Sequence, residues 1–105
     1  MYTRNVSMKL KAHSSKEFTQ TLENDVIPML RKQKGFKDEI ALVAPERNEI
    51  VAISFWEKKA DAEICNREKY PEVLKALSKV VEGTPRVESF EVANSTSHQI
   101  AAKAA

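Results

Sequence analysis

Few side chains in this sequence combine chemical capability with a placement that could use it. Asn5 lies on a segment of alternating character, on the side opposite Val6, Met8 and Leu10. If that side faces a pocket, its amide can donate and accept toward a carbonyl or a bound oxygen; otherwise it is a strand-end amide bonded to backbone or water. Phe55 and Trp56 end the most apolar run of the chain. They suit the wall of a flat, partly polar ligand, with the indole N–H as a handle, or equally core packing at a sheet edge. Tyr70 directly precedes Pro71, and its phenol can reach into a cleft or cap the surface. Arg67, one turn before Pro71, can pair with an anionic ligand or belong with Asn66, Glu68 and Lys69 to a solvated helix face. His98 stands in the C-terminal tail, either solvated or delivered as an acid or base by a tail that folds over the pocket or a partner subunit. Cys65 reads as a small buried hydrophobe, since nothing near it in sequence lowers the pKa of its thiol.

Other chemistries lack their residues. There is no GxGxxG, Walker A, HExxH or GxSxG pattern. The two glycines, Gly35 and Gly83, read as helix stops, which leaves no phosphate-cradling loop. His13 and His98 fall outside any ligand spacing, and one cysteine allows neither an intrachain disulfide nor a zinc cluster. No metal and no cofactor is therefore expected. Lys and Arg number 17 against 15 Asp and Glu, and a net charge of +2 gives no footprint for nucleic acid or a membrane surface. No apolar run approaches the roughly 20 residues of a membrane span, and the N-terminus lacks a signal peptide's apolar core, so a cytoplasmic protein is the expectation.

The 105 residues, 42% of them hydrophobic, suffice for one domain with its own core. Residues 3–12 alternate as a strand. Ser14 or Ser15 fits an N-cap, and Ser14 with Glu17 has capping-box spacing. Phe18, Leu22, Val26, Met29 and Leu30 form a helical stripe, interrupted by Pro28, where a kink or a break and restart is expected. Gly35 ends that helix. Residues 36–44 and 49–57 form a hairpin around a turn at Pro45 to Asn48. A second helical region, about 60–82, is split at Tyr70-Pro71, closed by Gly83-Thr84-Pro85 and followed by a strand over 86–93. The domain thus covers 1–93, with a tail over 94–105.

This order, β-α-β-β-α-β, is that of a ferredoxin-like α+β fold, a four-stranded antiparallel sheet with two helices on one face. The third strand and residues 40–43 are apolar on both faces. Two helices cover only one face, so a second copy of the sheet is expected against the other, making a homodimer; an apolar central hairpin without a partner is the rival reading.

Three stretches carry a family resemblance: Val26-Ile27-Pro28-Met29-Leu30-Arg31-Lys32-Gln33-Lys34-Gly35-Phe36, the third strand running into Trp56-Glu57, and Tyr70-Pro71-Glu72-Val73-Leu74-Lys75-Ala76-Leu77. Over almost the whole chain the sequence resembles the antibiotic biosynthesis monooxygenase domain family. The resemblance implies a dimeric α+β barrel of two face-to-face sheets. It further implies a cofactor-independent monooxygenase that oxidises a quinol, anthrone or related polyphenolic substrate with O2. Asn5 and Trp56 match positions where such members carry pocket residues. On this reading Asn5, Trp56 and His98 are the catalytic candidates, and Phe55, Arg67 and Tyr70 bind a small aromatic molecule. Other members degrade heme with an Asn on the first strand and a Trp and a His on the second helix. Asn5 fills the first role, but the Trp position falls near Arg67 and the His position at Leu77 or Ser78, so two of the three roles are vacant. Relatives without demonstrated activity leave a non-catalytic ligand-binding or regulatory dimer as the alternative.

Overall fold

A computed structural model describes residues 1–96. Four strands, β1 (Tyr2–Leu10), β2 (Phe36–Ala44), β3 (Glu49–Trp56) and β4 (Val81–Glu91), form one antiparallel sheet in the order β2-β3-β1-β4. The helical segments are α1 (Ser15–Thr21), a π-helical turn (Leu22–Val26), α2 (Ile27–Arg31), α3 (Lys59–Glu68) and α4 (Tyr70–Leu77). This is the ferredoxin-like arrangement that the element order implies, with β1 and β3 central.

One face of the sheet carries the core. Leu10, Ile50 and Trp56 pack there with Phe18, Leu22 and Val26 of the first helical layer and Ala62, Cys65 and Leu77 of the second. The opposite face is open. Ile40, Leu42 and Phe90 are exposed on it, beside the half-buried Val51, Ile53 and Phe55. Among the described residues no helix is long and apolar enough to cross a membrane.

Both helical layers are broken where proline falls. The first loses its α-helical register in the π turn and restarts at Ile27, which places Pro28 in the first turn of α2, where its missing N–H would have no helical partner. The second breaks at Lys69, with Pro71 in the first turn of α4. Three expectations are corrected. Ser14 does not cap α1: its hydroxyl donates back to the Ala12 carbonyl at 3.4 Å, and no capping box forms with Glu17. The chain reverses at His13 (φ 61), and Ser14 (φ −106, ψ 1) lacks the extended backbone that aims a capping oxygen into the helix.

Gly83 is not a helix stop either. The helix ends at Leu77, and β4 already begins at Val81. Ser7 pairs with Arg86 and Lys9 with Glu82, so Met8 alone opposes Gly83, Thr84 and Pro85. That is a bulge in an edge strand, which accommodates both a left-handed residue (Gly83, φ 74) and a proline without an N–H. Nor does Gly35 (φ 78) stop the first helix: α2 ends at Arg31 with Lys32 as its C-cap, and the left-handed turn into β2 falls at Gly35, where a Cβ would overlap the Asp61 carboxylate. The Gly35 carbonyl accepts the Glu57 N–H at 2.8 Å, tying the start of β2 to the end of β3.

Candidate functional site

Strand alternation decides which side chains can meet. Along β1, Val6, Met8 and Leu10 face the helices, and so does Arg4, which shares their parity and is 8% exposed. Ser54 of β3 pairs with Arg4 on one side and with Glu39 of β2 on the other. Arg4, Ser54 and Glu39 therefore form a row across three strands, all on the helix side. Each lines a cavity of about 60 Å³ between the sheet and the helices. Trp56 and Ser54 belong to its sheet wall; Leu22 and Val26 of the π turn, Cys65 of α3, and Tyr70 and Val73 of α4 close it from above.

The walls are apolar, and the few polar groups are perturbed in ways that follow from that. Glu39 Oε2 is buried without a hydrogen-bond partner. Burial, and secondarily the Asp38 carboxylate beside it, push its carboxyl up to about 6. The Arg4 guanidinium lies 4.8 Å from the Tyr70 ring centroid, a cation–π contact. Desolvation lowers its pKa, but guanidinium starts so high that it stays charged. Burial raises the Tyr70 phenol, with Arg4 opposing, so the phenol keeps its proton at neutral pH. Cys65 is buried and its thiol is likewise pushed up, mainly by desolvation, which leaves it a neutral thiol rather than a nucleophile. The Trp56 indole N–H donates to Ser54 Oγ at 2.8 Å, and its ring meets Phe36 edge-on, centroids 5.5 Å apart. Ser54 accepts that bond and still has a proton to donate.

The residues singled out from the sequence divide between two faces. Trp56 and Tyr70 line the cavity. Asn5 and Phe55 have the opposite parity: Asn5 pairs with Ile53 and Phe55 with Thr3, so both point to the open face, away from the cavity. Asn5 Oδ1 is buried there without a partner. Arg67 is exposed on α3 and is not among the lining residues. His98 lies outside the described residues. Arg4, Glu39 and Ser54 are the polar groups that the sequence reading missed. The available signal was parity: Arg4 shares the apolar side of its strand, and Glu39 shares the side of Ala41.

Among the described residues no three His, Cys, Asp or Glu side chains cluster as a metal site would require. The helix-two His of the heme-degrading reading has no counterpart here. The position expected to carry a helix-two His is either Leu77, apolar and buried, or Ser78, whose hydroxyl donates to the Lys75 carbonyl.

On the opposite side of Arg4 lies a wider, open depression of about 290 Å³, lined by Tyr2, Arg4, Ala62, Glu63, Asn66, Val87 and Ser89. Arg4 thus lines both a small apolar cavity and a wider, more polar depression.

No protein-family model matches the sequence, and no curated protein matches it. Solved structures match it in fold. SnoaB of Streptomyces nogalater, a cofactor-independent oxygenase, superimposes with a TM-score of 0.74 at 15% identity, over 92% of this chain and 97% of that one. The monooxygenase of the ActVA-Orf6 gene of Streptomyces coelicolor, solved with nanaomycin D, gives 0.75 at 14% identity, over 90% and 88%. A Bordetella bronchiseptica protein provisionally assigned as an antibiotic biosynthesis monooxygenase gives 0.75 at 13% identity, over 87% and 95%. The chain has the fold of several proteins provisionally assigned as antibiotic biosynthesis monooxygenases, and of these two oxygenases.

Proposed function

We propose that this chain is a homodimeric, cofactor-independent monooxygenase that oxidises a quinol, anthrone or related polyphenolic substrate with O2. The observation that carries the reading is an apolar cavity, walled by Trp56 and Tyr70, into which two charged side chains face although no ion pair among the described residues includes either. Two similarly folded proteins, one named as a cofactor-independent oxygenase and one as a monooxygenase, support it. Such a substrate supplies its own electrons. For anthrone, one O2 takes four electrons from the methylene carbon; one oxygen atom becomes the new carbonyl and the other leaves as water with the two methylene hydrogens. The protein's tasks are to hold the ring, accept a proton and exclude water.

The apolar cavity has room for a few waters, whereas ligand sites usually offer a few hundred Å³. A tricyclic substrate therefore binds by displacing the Arg4–Tyr70 stack, which joins the cavity to the 290 Å³ depression beyond it. The breaks at Lys69 and in the π turn fall in the segments that roof the cavity, where the least helical register has to yield.

The dimer belongs to the same reading. Exposed Ile40, Leu42 and Phe90, with the buried, unpartnered Asn5 Oδ1 nearby on β1, make a face that a second sheet would cover. Oxygen uptake on anthrones and naphthoquinols, with heat-denatured protein as the autoxidation control, tests the activity. Saturable uptake above the control is expected. Binding of these compounds without uptake would overturn the catalytic reading in favour of a ligand-binding dimer.

A further inference from the structure

We propose that Glu39 is the proton acceptor of this site and that Arg4 holds the oxyanion which proton removal creates. The ligand would then carry an acidic C–H or O–H on one side of a ring and an oxygen on the far side. This rests on the aromatic-substrate reading and goes beyond it by assigning the two ends of the substrate to particular residues.

The geometry is that of the row across the sheet. Arg4 and Glu39 each pair with Ser54, so their backbones stand two strand spacings apart, about 10 Å. Side chains projecting from the same face at that separation stand at the two ends of the row, and a ring seats between them once the Arg4–Tyr70 stack has opened. Neither charge has a salt-bridge partner among the described residues, and Glu39 Oε2 accepts no hydrogen bond at all. A structural role for a carboxylate in an apolar cavity requires a partner, because an unpaired one destabilises the fold. Its place is instead that of a base whose partner arrives with the ligand. Ser54, fixed by the Trp56 indole, stands midway with a hydroxyl proton directed by the bond it already accepts.

The charges around Glu39 agree with this assignment. Asp38 precedes it on β2, Arg4 faces the cavity from β1, Cys65 from α3 and Tyr70 from α4; the π turn and α2 contribute only the apolar Leu22, Val26 and Leu30. Cys65 and Tyr70 hold their protons, so Glu39 is the group facing this cavity that is free to accept one near neutral pH. In the step itself, the substrate's C–H or O–H bond breaks and its proton goes to Glu39 Oε2. The bonding electron pair delocalises through the ring to the oxygen at the Arg4 end, where the guanidinium stabilises the charge.

Proton removal can be read without oxygen. Under anaerobic conditions in D2O, deuterium incorporation into the methylene group of anthrone measures it by mass spectrometry. Wild-type protein should exchange the methylene in a saturable manner above the buffer rate, rising with pH through about 6 as Glu39 ionises. Glu39→Gln should lower the exchange by about 100-fold or more, and Glu39→Asp should restore part of it, both with unchanged circular dichroism. Exchange by Glu39→Gln at the wild-type rate would overturn the assignment. Oxygen uptake that persists beside such Glu39-independent exchange would leave the oxygenase reading standing and remove only this inference. Neither exchange nor uptake in the wild type would remove both.

Discussion

Replacing Glu39 by Gln should make the protein more stable at neutral pH than in acid, each measured relative to wild type. The unfolded carboxyl titrates near 4.5 and the folded one near 6. Between these values the folded state binds more protons than the unfolded state, so stability falls as pH rises through that window. Below about 4.5 the group is neutral in both states and contributes no penalty. Above about 6 the full penalty is present. A rise of this size corresponds to at most about 2 kcal/mol, and Glu39 is half-buried rather than enclosed, so solvent screening reduces the expectation to about 1 kcal/mol. Gln keeps the shape and cannot ionise. Any cost of burying its amide is the same at both pH values and cancels from the comparison. Trp56 is the single tryptophan and is 1% exposed, so its fluorescence reports unfolding. Urea titrations at pH 4 and pH 7.5 would measure the effect. With a slope of roughly 1–2 kcal/mol per molar, the Glu39→Gln midpoint, taken relative to wild type, should rise by about 0.5–1 M from pH 4 to pH 7.5. A difference from wild type that is independent of pH, or that falls from pH 4 to pH 7.5, would show that the Glu39 carboxylate is satisfied after all and refute the argument.

Three further substitutions test the fold. Gly83→Ala should cost about 1 kcal/mol in thermal or urea unfolding, because only the left-handed backbone opposes a Cβ and the surrounding space is open. Gly35→Ala should cost roughly 2–4 kcal/mol, since the new Cβ also displaces the Asp61 carboxylate; equal costs at both positions would contradict the close approach. Leu42→Glu, on the open face, should leave the circular dichroism unchanged and convert a dimeric species to a monomeric one by light scattering; an unchanged mass would remove this face as the subunit contact.

How much of this was legible differs by scale. The element order could be read without the structure, because alternation in the strands, the stripe Phe18-Leu22-Val26 and the prolines at 28 and 71 are local features whose periods survive without knowledge of any contact. So could the breaks in the helices, since a proline's missing N–H acts wherever it falls. The end of the second helical region was not readable. Whether Gly83 stops a helix or opens a bulge depends on the pairing of β4 with β1, a contact some 75 residues apart in sequence. The same limit governed the site. Parity could say that Arg4 and Asn5 lie on opposite faces, but only the stacking of the helices on one face decided which of them meets a cavity and which faces outward. Trp56 and Tyr70 were visible as aromatic candidates; the row Arg4–Ser54–Glu39 was not, because it joins three strands whose lateral register is set by the turn at Pro45 to Asn48 and by long-range pairing. Local chemistry fixes what each segment becomes. Which charged side chains are left facing one another across an apolar cavity is a property of the assembled sheet, since burial and separation exist only after distant strands have paired.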